Sequence, residues 1–397
     1  TGLINLTDVL LVIGRQSSGK STFMKVLCFC RWIEKKIMTS FDNTIQAYTH
    51  NKRFTRELKQ FHRIDEMYFK EGTEIIYDGD MVTISLTGVN QNAKINRKQE
   101  AWEDRYNSKL SYIPAERNLV SAVQNINDTY KAKERDSIFN FIQEWYEAKD
   151  TYGSDNKLNL SLTDDFKYYS DKGLDYVVLP NGKPITSFYA SSGVQSIMPI
   201  DVMTDYIMGV VGKVVKFSML DLMNRLMESL DTDVRNEIVH GTHEVTEEEL
   251  APIREKMKYQ SAQLFIEEPE QNLYPDAQRK LVQNIIRHLK AVNSVGKHRS
   301  MVVLTTHSPY VLSILNVLIA DAAAVEKKSG DERLKDVVDE STLLPTDAFS
   351  AYFINKDGVF EDIKDMEIPM LSGINLDSVS DWVDEHVGRI NEILYAE

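Results

Sequence analysis

Residues 14–21 read GRQSSGKS, and this stretch decides how the rest of the chain is interpreted. It follows an apolar, β-branched run at residues 9–13, which is typical of a strand buried on both faces of a parallel sheet. It precedes a helical pattern in which Phe23, Val26 and Leu27 share one face. Glycines in such a turn let backbone N–H groups converge on phosphate oxygens at a helix N-terminus. The sequence therefore predicts a phosphate-binding loop.

The side chains of this loop have separate expected roles. Lys20 can reach the β- and γ-phosphates of a nucleoside triphosphate, and the hydroxyl of Ser21 can bind Mg²⁺. The expected nucleotide-binding residues of the loop are Gly14, Gln16, Ser17, Ser18, Gly19, Lys20, Ser21 and Thr22.

Polar groups also follow two later runs that read as parallel strands. Residues 264–266 lead into Glu267 and Glu268, and residues 301–304 lead toward His307. The carboxyl ends of parallel strands meet at the edge where open α/β sheets bind ligands. Paired carboxylates there can place one on Mg²⁺ and the other near the attacking water. We expect these two strands to lie beside the one at residues 9–13.

A second turn, SSGVQS at residues 191–196, precedes another helical pattern. A Ser/Gly turn at the start of a helix can bind phosphate through its backbone N–H groups. An ordinary N-cap has the same composition. Ser191 and Gly193 are therefore candidate phosphate ligands.

These four motifs, in this order, resemble the Walker A, signature, Walker B and switch-histidine motifs of ABC-type ATPases. The soluble members of that superfamily are the more similar ones: SMC, RecF and RecN proteins, and the ATPase part of OLD-family proteins. Residues 268–275, EPEQNLYP, are similar to the E-P-E-x-x-L-x-P stretch of OLD-like ATPases. The resemblance extends over essentially the whole chain.

The resemblance implies an Mg²⁺-dependent ATPase in which two copies of the chain enclose ATP. It implies catalytic roles for Lys20, Glu268 and His307, and metal binding by Ser21 and Glu267. Ser191 and Gly193 would contact the ATP bound by a second copy. Two departures stand out: Glu267 replaces the usual Asp, and residues 112–117 occupy the place of the Q-loop without a Gln. In that segment Glu116 is a candidate metal or water contact, and Arg117 could instead form a salt bridge.

The spacing of the motifs narrows the choice within the superfamily. The 170-residue interval from Ser21 to Ser191 is too short for long coiled-coil arms, and heptads are absent. The 71 residues from Gly193 to Leu264 exceed the short link of transporter ATPases. After residue 355 only about forty residues follow, too few for the nuclease domain of OLD proteins. We therefore expect any nuclease to be a separately encoded partner.

The expected fold class is α/β: an ABC-type P-loop core with an antiparallel β lobe and a large helical lobe. Residues 1–190 would hold the P-loop half, with the β lobe at about 68–114 and a helical insert at about 115–185. Residues 191–262 would hold the signature motif and the helical lobe. Residues 263–397 would complete the core and end in a hairpin.

The amino-acid composition limits which binding partners and which cellular compartment we expect. The net charge is −14, from 46 Lys and Arg against 60 Asp and Glu, so nucleic acid is a possible partner that the charge does not favour. The only cysteines, Cys28 and Cys30, indicate a reducing compartment, hence a cytoplasmic protein. The longest apolar stretch, residues 314–325, is shorter than a membrane span. A histidine-containing sequence at 240–244 reads as a surface turn rather than a metal site.

Three functions remain open on the sequence. The first is ATP hydrolysis in a homodimer, or a higher even-numbered oligomer, held together through ATP. The second is an ATP-gated scaffold with little turnover, and the third is a RecF- or SMC-like ATPase of DNA repair. The resemblance also suggests a role in bacterial anti-phage defence with a separate effector.

Overall fold

The computed structural model describes residues 2–39, 44–123, 126, 130, 135–162, 165–213, 226–227, 230, 232–240, 242–243, 245–364 and 370–371. The strands in these residues are β1 (Val9–Gly14), β2 (Glu74–Asp78), β3 (Val82–Thr87), β4 (Lys94–Arg97), β5 (Ser108–Ile113), β6 (Leu158–Asn159), β7 (Lys167–Asp171), β8 (Leu174–Val178), β9 (Pro184–Thr186), β10 (Ser261–Glu267), β11 (Met301–Thr306), β12 (Phe349–Ile354) and β13 (Phe360–Asp362). The helices are α1 (Lys20–Thr39), α2 (Thr44–Thr49), α3 (Arg53–His62), α4 (Leu119–Ala122), α5 (Ser137–Lys149), α6 (Ser192–Gly209), α7 (Thr232–Val239), α8 (Glu247–Met257), α9 (Pro275–Val295) and α10 (Pro309–Lys327).

A six-stranded sheet forms the centre of the fold, in the order β13-β12-β1-β11-β10-β5. All neighbours are parallel except β12 and β13. The predicted adjacency of the strands that carry the three strand-end motifs is therefore confirmed. The register places Thr305 of β11 beside both Val12 of β1 and Glu267 of β10. Because parallel strands end at the same edge, their polar groups come together there.

The central sheet is buried on both faces, as the apolar run of β1 predicts. Alternate residues of β1 point to opposite faces. Val9, Leu11 and Ile13 belong to the core beneath α5, α6, α9 and α10. Leu10 and Val12 belong to the core that contains α1, α3 and the β2–β4 sheet. The strand that leads into the phosphate loop is thus held rigidly from both sides.

Two parts of the predicted organisation are wrong. The antiparallel lobe is only the three-stranded sheet β2-β3-β4, and β5 is a parallel strand of the central sheet. The helical insert predicted for residues 115–185 contains α4 and α5, but residues 158–186 form a four-stranded antiparallel sheet, β6-β7-β8-β9. These strands alternate weakly and are short, so their sequence reads as loop.

The helical lobe predicted after residue 191 is present where the structure describes it, as α6, α7 and α8. Helix α8 begins with a capping box between Thr246 and Glu249. The sequence also predicts an apolar helical stripe through Val214, Leu220 and Met223, and these three residues lie outside the described residues. Cys28 and Cys30 are both free and buried.

Helix α10 is, by length and composition, apolar enough to cross a membrane, and it is the single such helix within the residues described. The helix extends the apolar run of residues 314–325 toward its N-terminus, through Tyr310, Val311 and Leu312, which gives it this length. One face of α10 packs into the core through Val311, Leu312, Leu315, Leu318 and Ile319. A core helix of an α/β fold meets the same criterion.

Candidate active site

The phosphate loop adopts a conformation that its glycines and one serine make possible. Between β1 and α1, Gly19 has φ +100° and Ser17 has φ 60°, both in the left-handed region. A Cβ on Gly14 would lie 2.9 Å from Ser18 Oγ and 3.1 Å from the carbonyl oxygen of Ile354, which leaves no room for a side chain. Gln16 and Ser17 are exposed, as is Ser21, and Thr22 is half-buried. The loop therefore presents its backbone and hydroxyls to solvent at the end of β1.

The side chain of Lys20 hydrogen-bonds to the backbone of this loop. Its Nζ donates hydrogen bonds to the carbonyl oxygens of Gly14 and Arg15, both at 2.8 Å. Burial lowers the pKa of Lys20, while the charges of Glu268, Glu270 and Glu267 act in the opposite direction. The ammonium group is thus held by neutral carbonyls in a negative environment. Phosphate oxygens would replace these carbonyls with stronger, charged acceptors.

Strand β10 leads into two consecutive glutamates whose side chains have different environments. Glu267, its last residue, is buried, and its Oε2 accepts a long hydrogen bond of 3.3 Å from the backbone N–H of Ala115. Glu268 is more exposed and has φ 43°, a conformation that costs a residue with a side chain about 1–2 kcal/mol. The backbone N–H of Glu268 donates to the carbonyl of Thr305 at 2.9 Å. This turn directs the Glu268 side chain out of the strand and toward His307.

A buried arginine fixes the backbone of both glutamates. Arg117 is fully buried and donates from Nη1 to the carbonyl of Glu267 and from Nη2 to that of Glu268, each at 2.8 Å. Its Nε donates to the carbonyl of Ser196 at 3.0 Å. Burial lowers the pKa of Arg117 to about 10, against the raising effect of Glu270 and the neighbouring glutamates. Arg117 therefore binds carbonyls instead of forming the salt bridge considered from the sequence, and Glu116 is exposed.

His307 is held by a third acid, Glu270, to which the sequence reasoning gave no role. Glu270 Oε1 accepts a hydrogen bond from the backbone N–H of His307 at 2.9 Å and lies 3.1 Å from His307 Nδ1. Glu268 Oε1 lies 3.7 Å from the same nitrogen. Glu270 is buried and His307 is 40% exposed at its side chain. The ring is therefore fixed on one side and accessible on the other.

The site contains buried oxygen atoms without hydrogen-bond partners, of the kind that a hydrated cation can satisfy. Three buried side-chain oxygens make no hydrogen bond to the described residues: Ser18 Oγ, Glu270 Oε2 and Thr305 Oγ1. Buried polar atoms are ordinarily paired. No group of three or more His, Cys, Asp or Glu within the described part of the chain could hold a metal alone. Mg²⁺ needs only one or two protein ligands when phosphates and waters complete its shell.

The signature turn lies on the surface, at the start of α6. Ser191 occupies the N-cap position, but its side chain makes no capping bond, and it is exposed. A Cβ on Gly193 would lie 3.3 Å from the carbonyl oxygen of Asn272. Asn272 also donates through Nδ2 to Ser196 Oγ at 3.0 Å. Among the described residues, no hydrogen bond or ion pair joins Ser191 or Gly193 to the phosphate loop, so the turn is left free for another ligand.

Exposed aromatic side chains follow or precede three of the motifs. Tyr189, just before the signature turn, is 75% exposed, and Tyr274, which follows the three glutamates, is 80% exposed. Tyr310, three residues after His307, is 52% exposed, and Phe188 is also exposed. Aromatic residues at such exposure are enriched at protein interfaces. The surface around the site is therefore suited to contact with another chain.

The two histidines predicted to lie in a surface turn do so. His243 Nε2 lies 2.9 Å from Glu249 Oε1, next to the N-terminus of α8, and His240 is exposed. Residues 241 and 244 of the same sequence lie outside the described residues.

The contact between Glu270 and His307 leads to a prediction. Glu270→Gln keeps the shape but removes the negative charge beside Nδ1, so we expect kcat for ATP hydrolysis to fall by on the order of tenfold, with KM for ATP nearly unchanged. Steady-state kinetics measures both values. Glu326→Gln, at an exposed glutamate near the end of α10, is the matched control. Equal kcat values for the Glu270→Gln and Glu326→Gln proteins would show that His307 does not depend on this acid.

One family model matches the part of the chain that contains Glu267, Glu268 and His307. Residues 235–312 match the model of the AAA ATPase domain family. Among solved structures, the chain is similar to an SMC head domain from Thermotoga maritima, with a TM-score of 0.34 and 11% identity over 91% of this chain and 91% of that chain. It is also similar to an SMC head bound to the C-winged helix domain of ScpA, with a TM-score of 0.33 and 10% identity over 90% of each chain. No curated protein matches the sequence.

Proposed function

We propose that this chain, an ATPase of the ABC/SMC type by its motifs, its fold and its match to the AAA ATPase family, binds ATP with Mg²⁺ and hydrolyses it. One observation carries the proposal. Three adjacent parallel strands bring Lys20, Glu268 and His307 to one edge of the sheet, where buried oxygens lack partners. An isolated phosphate-binding loop would need neither the glutamates nor the histidine.

Each residue has a role that follows from its environment. Lys20 binds the β- and γ-phosphates, and Ser21 and Glu267 hold Mg²⁺, which neutralises phosphate charge when bound. Glu268, more exposed than Glu267, orients the attacking water and accepts its proton. His307 faces the same water or the γ-phosphate from the next strand. Arg117 keeps the two glutamates in register through their backbone carbonyls.

We further propose that two copies of the chain enclose two ATP molecules. Exposed Ser191 and half-buried Gly193 lie at the N-terminus of an 18-residue helix, whose positive end favours a phosphate. A two-fold pair would place the signature turn of each copy against the phosphate loop of the other. The exposed Tyr189, Tyr274 and Tyr310 would then be buried at the interface.

A mixing experiment tests the shared site. Chains with Lys20→Ala and chains with Ser191→Arg are each expected to be inactive, because every site in either homodimer carries a lesion. In a mixed dimer, one site takes both lesions and the other is intact. For independent sites, random pairing of equal amounts should restore about a quarter of the wild-type ATPase rate.

Two controls make this result decisive. Mixing Lys20→Ala with Lys20→Ala,Ser191→Arg chains should restore nothing, since no intact site can form. The two kinds of chain carry tags of different size, so the mass of the mixed dimer shows that subunits have exchanged. Exchange without recovery would contradict a shared site whose two halves act independently.

The biological role is proposed from the resemblance to OLD-family ATPases. We propose a cytoplasmic ATPase component of a bacterial anti-phage defence system, acting with a separately encoded effector such as a nuclease. The alternative of an ATP-gated scaffold predicts ATP binding and assembly with almost no steady-state turnover. Glu268 beside His307 favours hydrolysis over that alternative.

A further inference from the structure

A second pocket, away from the phosphate loop, is formed by α2, α3 and the turn between them. It has a volume of about 500 Å³, which is within the range of small-molecule sites in proteins. The described residues that line it are Gln46, Ala47, His50, Asn51, Arg53 and Arg56. None of these six is acidic, and all except the alanine have side-chain groups that can donate hydrogen bonds. The pocket is therefore suited to an anion.

The helices around this pocket carry positive charge in a chain that is acidic as a whole. Residues 44–62 contain four Lys and Arg and a single acid, Glu57, whereas the net charge of the chain is −14. That acid is already paired, because Arg53 Nε donates to Glu57 Oε1 at 2.6 Å. The side chain of Arg56 is exposed and makes no hydrogen bond or ion pair with another described residue. Arg56 is therefore available to a negatively charged ligand.

A buried tyrosine fixes the orientation of Arg53. Tyr48 is 1% exposed, and its hydroxyl donates to Glu57 Oε2 at 2.6 Å. The Arg53 guanidinium lies over the Tyr48 ring, 4.9 Å from the ring centroid. Lys36 Nζ, from the last turn of α1, donates to the Tyr48 hydroxyl at 2.9 Å and adds a second cation beside Arg53. A guanidinium that is already oriented loses little conformational freedom when it binds a phosphate.

We propose that this pocket binds the phosphate group of a small ligand, such as a nucleotide, through Arg53 and Arg56. These arginines are three residues apart on α3, so they lie on one face of the helix. Two guanidinium groups on one face can hold a phosphate through several charge-assisted hydrogen bonds. Lys36, next to the pocket, is about 24 Å from Lys20 along α1. The pocket is thus separate from the proposed ATP site, and the proposal does not depend on ATP hydrolysis.

Equilibrium dialysis with radiolabelled inorganic pyrophosphate tests this site on the full chain. The Lys20→Ala protein is used, because an intact phosphate loop would bind the same probe. We expect it to bind one pyrophosphate per chain, and we expect added Arg56→Gln to weaken this binding by at least roughly tenfold, because charge-assisted contacts are lost. Added Arg53→Lys keeps the charge but not the planar fork, so it should weaken the binding several-fold.

The matched control is Arg333→Gln in the same Lys20→Ala protein. The side chain of Arg333 is 89% exposed in a different part of the chain, so the affinity for pyrophosphate should stay within about twofold. Thermal melts show whether each variant is folded. In an otherwise unaltered chain, Arg56→Gln should leave the rate of ATP hydrolysis unchanged. A loss of that rate in a folded protein would contradict a separate site.

Three other results would overturn the proposal. The first is that the Lys20→Ala protein binds no pyrophosphate. The second is binding that Arg56→Gln does not weaken, since the pyrophosphate would then lie elsewhere. The third comes from two further probes, a short single-stranded DNA and a poly-glutamate peptide. If Arg56→Gln weakened the binding of either polymer while pyrophosphate did not bind, the surface would be a contact for nucleic acid or for an acidic protein.

Discussion

Lys20→Ala is expected to abolish measurable ATP binding, with a loss of affinity on the order of a hundredfold or more. The Lys20 ammonium group hydrogen-bonds to the loop's own backbone, at the carbonyls of Gly14 and Arg15, which places its charge at the phosphate-binding turn. Two charge-assisted hydrogen bonds to phosphate contribute about 3 kcal/mol or more, which corresponds to at least that factor. Binding of a fluorescent ATP analogue, followed by anisotropy, measures the change.

The control for this experiment is Lys25→Ala. Lys25 lies on the same helix, one turn further, and carries the same charge, so a general electrostatic effect would appear in both variants. We expect the affinity of the Lys25→Ala protein for ATP to stay within about twofold of the wild type. Affinity for ATP retained within a few-fold in the Lys20→Ala protein would mean that residues 14–21 do not form the nucleotide site.

Glu268→Gln is expected to bind ATP normally but to hydrolyse it on the order of a hundred to a thousand times more slowly. The amide keeps the size of the side chain and loses the basicity needed to accept a proton from water. The backbone of residue 268 should keep its conformation, because Arg117 and Thr305 hold it through main-chain atoms. Single-turnover hydrolysis of radiolabelled ATP measures the rate.

Glu267→Gln provides the matched comparison. This side chain is buried at the end of β10 and is proposed to hold Mg²⁺, so its amide should weaken the dependence of binding on Mg²⁺. Titration of Mg²⁺ at fixed ATP separates this effect from a loss of turnover. The two assignments would be reversed by the following pair of results. The Glu267→Gln protein would keep a normal Mg²⁺ dependence but stall in ATP hydrolysis, and the Glu268→Gln protein would hydrolyse ATP normally.

The strands that carry the motifs could be predicted from the sequence because each is a buried parallel strand. Such strands read as continuous apolar runs, and a polar residue at the end of the run marks the sheet edge. This pattern placed β1, β10 and β11 side by side and brought Lys20, Glu268 and His307 to one edge. The roles of those residues stay predictions until the substitutions are made.

Other features could not be predicted because their signals are not local. The strand β5 joins the central sheet through pairing with β10, about 150 residues away, and its own sequence shows nothing that separates it from the antiparallel lobe. Arg117 reads as a surface charge, and only the folded chain brings it to carbonyls of β10 and α6. Glu270 could have been found as a third acid in the EPE sequence, but its contact with His307 depends on the turn at Glu268.

The position of β1 in the sheet has a consequence for synthesis of the protein. Both neighbours of β1, the strands β11 and β12, come from the last quarter of the chain, nearly 300 residues or more after it. The nascent chain must therefore carry an unpaired, fully apolar strand while most of the polypeptide is made. Contacts between residues so far apart in the sequence form slowly during folding. We expect the nucleotide pocket to be one of the last parts to mature, and expression to be sensitive to chaperone supply.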